Sequence, residues 1–133
     1  MGIRRRAREL ALTVLYESEF QNIPYDRIVF RIAGEETLHD EVVAFLNSLL
    51  KTYFDNKTLI NEAIEKHSSN WKISRMAYVD RNILRLGIAE LIFISDIPKS
   101  VSINEYLEIA KKYGTEDSSS FINGILDKIE KRA

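Results

Sequence analysis

Apolar residues along this chain recur at intervals of three and four and rarely at two, which predicts helix nearly throughout and no strand. From about Arg4 to Phe20, the residues Ala7, Leu10, Ala11, Val14 and Leu15 fall within a sector of about 140° on a helical wheel, the width of a buried stripe. Asn22 and Pro24 end that helix. A weaker helix over Tyr25 to Ala33 turns Ile28, Val29 and Ile32 to one side, and Gly34 and Thr37 are expected to break it. Leu38, Val42, Phe45, Leu46, Leu49, Tyr53 and Phe54 then keep the helical period. Leu59, Ile60, Ala63 and Ile64 resume it beyond the polar Asp55 to Lys57, so two helices in series are predicted.

The short polar stretch His67 to Asn70 reads as a hinge between two subdomains of a single domain, approximately 1–70 and 71–133. Trp71 and Ile73 are expected to pack where these meet. Ser74 is the expected cap of the next helix, whose Val79, Ile83, Leu86, Ile88, Ala89, Leu91, Ile92 and Phe93 are apolar around most of the circumference, as in a central buried helix. Pro98 stops it, and Ser102 with Glu105 reads as a capping box opening a helix that carries Ile103, Tyr106, Leu107 and Ala110 to a stop at Gly114. Asp117 or an adjacent serine starts the last helix. Its apolar side is Phe121, Ile122, Ile125, Leu126 and Ile129, with Lys128, Lys131 and Arg132 near its carboxyl end. The pattern predicts an all-α protein of about seven helices in two small bundles.

Composition narrows the chemistry. The 133 residues contain no cysteine, which removes thiolate metal sites, thiol nucleophiles and disulfides, and the chain does not open on a secretion-signal pattern. A cytoplasmic location is expected. The dense apolar run from Ile83 to Ile94 is interrupted by Arg85 and Glu90 and falls short of the roughly 20 residues that span a bilayer, so no membrane association is expected. Five scattered glycines form no phosphate loop, and His39 and His67 lack metal-ligand spacing. The paired carboxylates Glu35 and Glu36, or Glu116 and Asp117, fall at turns and caps. Neither catalysis nor a cofactor is expected. Glu90, inside the apolar run, is expected to pair with an arginine or with free amides at a neighbouring helix start.

Charge changes the picture locally. Nineteen Lys and Arg against 20 Asp and Glu give a net charge of −1, yet Arg4, Arg5, Arg6 and Arg8 all precede the first acid, Glu9. At 100° per residue Arg5, Arg8, Leu12 and Tyr16 gather roughly opposite the buried stripe and are predicted to face outward. Arginines fork to phosphates and an exposed aromatic stacks on an unpaired base, which suits single-stranded RNA. Leu12 and Tyr16 also suit a protein partner, as do Tyr78, Asp80, Arg81 and Arg85, although a solvated helix face produces the same mixture. Periodicity alone places Phe121 in the core.

Four blocks in order carry a resemblance: Arg4-Arg5-Arg6-Ala7-Arg8-Glu9 leading to Leu15-Tyr16; Val79-Asp80-Arg81-Asn82-Ile83-Leu84-Arg85-Leu86; Ile103-Asn104-Glu105 through Ala110-Lys111-Lys112-Tyr113-Gly114; and Phe121-Ile122-Asn123-Gly124-Ile125-Leu126-Asp127-Lys128. Together they resemble the NusB family of bacterial transcription antitermination factors over nearly the whole chain. The resemblance implies two three-helix subdomains plus a short extra helix, no catalysis, and a partner that is a small ribosomal-subunit protein, NusE. With that partner the family binds boxA RNA on nascent transcripts, alongside RNA polymerase and other Nus factors, and supports transcription of ribosomal RNA operons. Carried over by motif, Arg4, Arg5, Arg6 and Arg8 would meet phosphates or bases, with Tyr16 near the strand. Asp117 and Phe121 would face the RNA, which moves Phe121 from core to contact, while Asp80, Arg81 and Arg85 would lie toward the ribosomal protein. Two rival functions stand beside this one. One is a protein-binding adaptor or homodimer without specific RNA recognition. The other is an RNA-binding module like that of certain RNA cytosine methyltransferases, for which 133 residues leave no methyl-donor domain.

Overall fold

A computed structural model describes residues 2–69 and 71–131. Asn70 and Arg132, named above for the hinge and the last helix end, lie outside those residues. The described residues form seven α-helices and a single-turn 3₁₀ helix, with no strand: α1 Ile3–Gln21, α2 Tyr25–Glu36, α3 Asp40–Asp55, α4 Lys57–His67, the 3₁₀ turn Ile73–Arg75, α5 Tyr78–Phe93, α6 Lys99–Tyr113 and α7 Ser118–Leu126.

Local chemistry accounts for most of the boundaries. Asn22 takes the left-handed conformation at φ 54° and donates its N–H to Ser18 O, closing α1, and Pro24 precedes the start of α2. Gly34 does not break α2. A glycine inside a helix costs about 1 kcal/mol relative to alanine without stopping it, and α2 runs on until Thr37 turns left-handed at φ 49°. The two other expected caps are also corrected. Ser74 sits within the 3₁₀ turn, and α5 begins four residues later, at Tyr78, behind Ala77. Ser102 and Glu105 form no capping box, because α6 already starts at Lys99 behind Pro98, whose fixed φ suits that place.

The chain divides into two compact units, Met1–Lys51 and Thr52–Ala133, so the boundary falls within α3 and the polar stretch after α4 lies inside the second unit. In the first unit α1 packs on α2. Its buried side chains include Ala7, Leu10, Ala11, Val14 and Leu15 of α1, Ile28, Val29 and Ile32 of α2, and Val42, Leu46, Leu49 and Leu50 of α3. An exposed ion pair, Arg31 with Glu17 at 2.5 Å, links α2 to α1 at the surface.

In the second unit α5 lies against α4, α6 and α7, and α6 against α7. Ile83, Leu84, Leu86, Ile88, Ala89 and Leu91 are fully buried, the pattern expected of a central helix. Gly87 permits the close approach: a Cβ there would sit 3.1 Å from a Leu126 methyl of α7 and 3.6 Å from the Tyr106 ring of α6. Glu90 is completely buried, and its carboxylate accepts hydrogen bonds from Ser102 Oγ (2.5 Å) and Tyr106 OH (2.9 Å) of α6. These hydroxyls are partners that the expected arginine or helix-start amides did not anticipate. Trp71 is half exposed, where the sequence pattern placed it in a packed junction.

Candidate nucleic-acid interface

The arginine cluster occupies the first two turns of α1. No acid stands in the first turn of the helix and no side chain caps it, so the partial positive charge of the helix N-terminus adds to that of the arginines. Arg4 is exposed and Arg5 and Arg6 are partly so. Arg6 Nη2 donates to Glu36 Oε2 at 2.5 Å, a pair open to solvent on both sides. Arg8 is different: it is 2% exposed, and its guanidinium carbon lies 5.4 Å from the centroid of the Phe45 ring. Arg4 reaches the same ring at 4.9 Å.

The outward stripe expected from the helical wheel is therefore interrupted. Every residue from Ala7 to Leu12 is buried, so over that stretch α1 is enclosed all round and Arg8 and Leu12 leave the surface. A wheel built from one segment measures direction only, and it carries no information about what other segments cover. Tyr16, nearer the carboxyl end, is half exposed as predicted, and it is not alone. Phe20 stands one turn on, also half exposed, with ring centroids 4.6 Å apart. The first unit thus presents a basic end and an aromatic end on one helix, about 18 Å apart from Arg4 to Tyr16 at 1.5 Å per residue.

The second unit carries the remaining candidates. Asp117 is the residue before α7 and is exposed, and Phe121 in the first turn of that helix is half buried. Together with Trp71, Arg75, Met76, Ala77 and Asp80 they line a cavity of about 330 Å³. Trp71 and Phe121 also wall a second cavity, of about 350 Å³, whose other side includes Ser68, Ser120 and Lys128. Asp80, expected with the protein partner, thus shares a cavity with Asp117 and Phe121, expected with RNA. Its Oδ1 is buried and has no hydrogen-bond partner among the described residues.

Tyr78 is partly exposed, whereas the guanidiniums of Arg81 and Arg85 are engaged within the unit. Arg81 is buried, its guanidinium carbon 3.9 Å from the centroid of the Tyr78 ring and its Nη1 donating to Ile73 O of the 3₁₀ turn at 3.3 Å. Arg85 donates through Nε to Asn61 Oδ1 of α4 at 3.0 Å and through Nη1 to Asn82 Oδ1 at 2.8 Å. Both arginines tie α5 to its neighbours. Phe45, Phe20 and Trp71 were not among the sequence candidates. Phe45 is counted in a helical period and Phe20 only marks the end of the first helix, and nothing in one sequence separates a core phenylalanine from one that meets a guanidinium.

Among the described residues no group of three or more His, Asp or Glu side chains could hold a metal ion, and no helix is long and apolar enough to cross a membrane. His39 is locally bonded, its Nδ1 accepting from Glu41 N–H at 3.1 Å.

Comparison with known proteins gives a consistent result. The model of the NusB family matches residues 5–131. A transcription antitermination protein NusB of Bdellovibrio bacteriovorus is 45% identical over 130 residues, covering 96% of this chain and 95% of the relative. One from Trichlorobacter lovleyi is 46% identical over 131 residues, covering 98% and 92%. Among solved structures, T. maritima NusB superposes with a TM-score of 0.88 at 38% identity, covering 95% of this chain and 89% of that one. A structure of antitermination factors NusB and NusE in complex with double-stranded RNA contains a chain with TM-score 0.87 and 31% identity, covering 97% and 96%.

Proposed function

The chain belongs to the NusB family, and from that premise we propose that it binds boxA-like single-stranded RNA jointly with the small ribosomal-subunit protein NusE, within an antitermination complex on RNA polymerase. Its general role is RNA binding in transcription antitermination, without catalysis. The observation that carries the RNA reading is the arginine end of α1: Arg4 exposed, Arg5 and Arg6 partly exposed, at an uncapped helix N-terminus with no acid in its first turn. Guanidiniums there would hold phosphates, and the exposed ring of Tyr16 offers a stacking face for a base. Asp117 and Phe121 would contact RNA from the second unit, and Asp80, which lines the same cavity, would lie toward the ribosomal protein. A related structure that holds NusB and NusE with double-stranded RNA supports NusE as the partner and RNA as the ligand class, while the single-stranded, boxA-like form of that ligand rests on the arginines and the exposed aromatic ring.

The test is titration of fluorescently labelled boxA RNA with the wild-type chain and with Arg4→Ala, Arg5→Ala and Tyr16→Ala, helicity being followed in parallel. Each arginine variant should weaken binding and reduce the salt slope by about 1 for each phosphate that is no longer neutralised. Unchanged affinity in all three would remove α1 from the interface.

A further inference from the structure

We propose that Phe45 is a positioning residue for RNA binding, its ring face holding the arginine end of α1 in register; this rests on the RNA reading above. The guanidinium carbons of Arg4 and Arg8 lie 4.9 Å and 5.4 Å from the centroid of this one ring. Phe45 belongs to α3, is half buried, and borders an open cavity of about 710 Å³ together with Gly2, Ile3, Arg4, Glu41, Ala44 and Ser48. All of these residues lie within the first compact unit.

Arg4 and Arg8 stand four residues apart on a helix, a spacing at which like charges repel. A ring quadrupole that meets both guanidiniums offsets that repulsion. It also fixes rotamers. An arginine side chain must surrender its rotational freedom to grip a phosphate, and one already held against a ring surrenders less at the moment of binding. Arg8 is buried, while Arg4 is an exposed residue whose guanidinium rests near the same ring. An aliphatic side chain of similar volume would fill the space without supplying the face.

The experiment measures binding of labelled boxA RNA by the 133-residue chain carrying Phe45→Leu or Phe45→Tyr, each also in an Arg4→Ala background, with thermal unfolding recorded for every variant. Phe45→Leu should weaken RNA binding roughly three- to ten-fold with net charge unchanged. Phe45→Tyr, which keeps the ring, should bind within about two-fold of wild type. In the Arg4→Ala background the effect of Phe45→Leu should shrink, because one of the groups it acts through is gone. Wild-type affinity in Phe45→Leu, equal losses in the leucine and tyrosine variants, or an undiminished loss in the Arg4→Ala background would each overturn the proposal. Phe45→Met serves the same comparison if the leucine variant does not fold. Weak binding by Arg4→Ala beside normal binding by Phe45→Leu overturns only the role of Phe45, whereas normal binding by Arg4→Ala overturns the phosphate-binding role of Arg4 as well.

Discussion

The Tyr106 hydroxyl donates to Glu90 Oε1 at 2.9 Å, and neither residue has any exposed surface. Ser102 Oγ occupies the other carboxylate oxygen at 2.5 Å, so both oxygens of a buried acid are satisfied by hydroxyls of the adjacent helix. Tyr106→Phe removes one donor and leaves an oxygen less well satisfied. A loss of about 1–3 kcal/mol in unfolding free energy is expected from urea titration. Glu90→Leu strands both hydroxyls and should cost about 2–4 kcal/mol. RNA affinity of the folded fraction should be unaffected by either, since the network is enclosed within the second unit. A Glu90→Leu variant as stable as wild type would contradict the assignment.

Gly114 closes α6 where the chain turns toward α7. A Cβ there would lie 2.8 Å from Ala110 O and 2.5 Å from Ser118 Oγ, the atom that accepts a hydrogen bond from Thr115 N–H at 2.9 Å. The backbone oxygen cannot swing away as a side chain can, so Gly114→Ala should cost about 1–3 kcal/mol. It should also disturb the start of α7, where Asp117 and Phe121 stand. Amide exchange of residues 115–121 should accelerate, and unchanged protection there would show that the turn adapts freely.

Arg6 and Glu36 pair at 2.5 Å with side-chain exposures of 43% and 44%. A pair so open contributes little, and Glu36→Ala should change stability by less than about 0.5 kcal/mol. It should nevertheless tighten RNA binding a few-fold at low salt, because it releases a guanidinium and removes a nearby negative charge. Weaker binding would mean that Glu36 orients Arg6 rather than competing for it.

Much of this fold was legible because helix ends are local chemistry. Asn22 with Pro24, Pro98, Gly114 and Asp117 punctuate the chain where the hydrophobic pattern places its breaks. The misplaced cap at Ser74, the Ser102 capping box and the break at Gly34 share one cause: each residue type permits its role without requiring it, and tertiary packing selected another. Ser102 is the clearest case, its hydroxyl being engaged by Glu90 from another helix. The candidate site was legible in kind but not in exposure. The arginine run and Tyr16 could be read directly, whereas the burial of Arg8 and Leu12, the inward turn of Arg81 and Arg85, and the part played by Phe45 depend on segments distant in sequence.

Trp71 is the only tryptophan, is half exposed, and shares two cavity walls with Phe121. Its emission therefore reports on the face around the start of α7. Saturating boxA RNA together with the ribosomal protein should shift that emission, and Phe121→Ala should weaken RNA binding by about 1–3 kcal/mol if the ring stacks on a base. Unchanged emission at saturation would place both ligands elsewhere.

Joint, sequence-selective RNA recognition is tested most directly by titrating labelled boxA RNA and a scrambled RNA of equal length with this chain, alone and with the ribosomal protein, at several salt concentrations. The prediction is that the pair binds boxA more tightly than either protein alone, and more tightly than the scrambled strand at every salt concentration. Equal affinity for the two RNAs, or no gain from the partner, would contradict it.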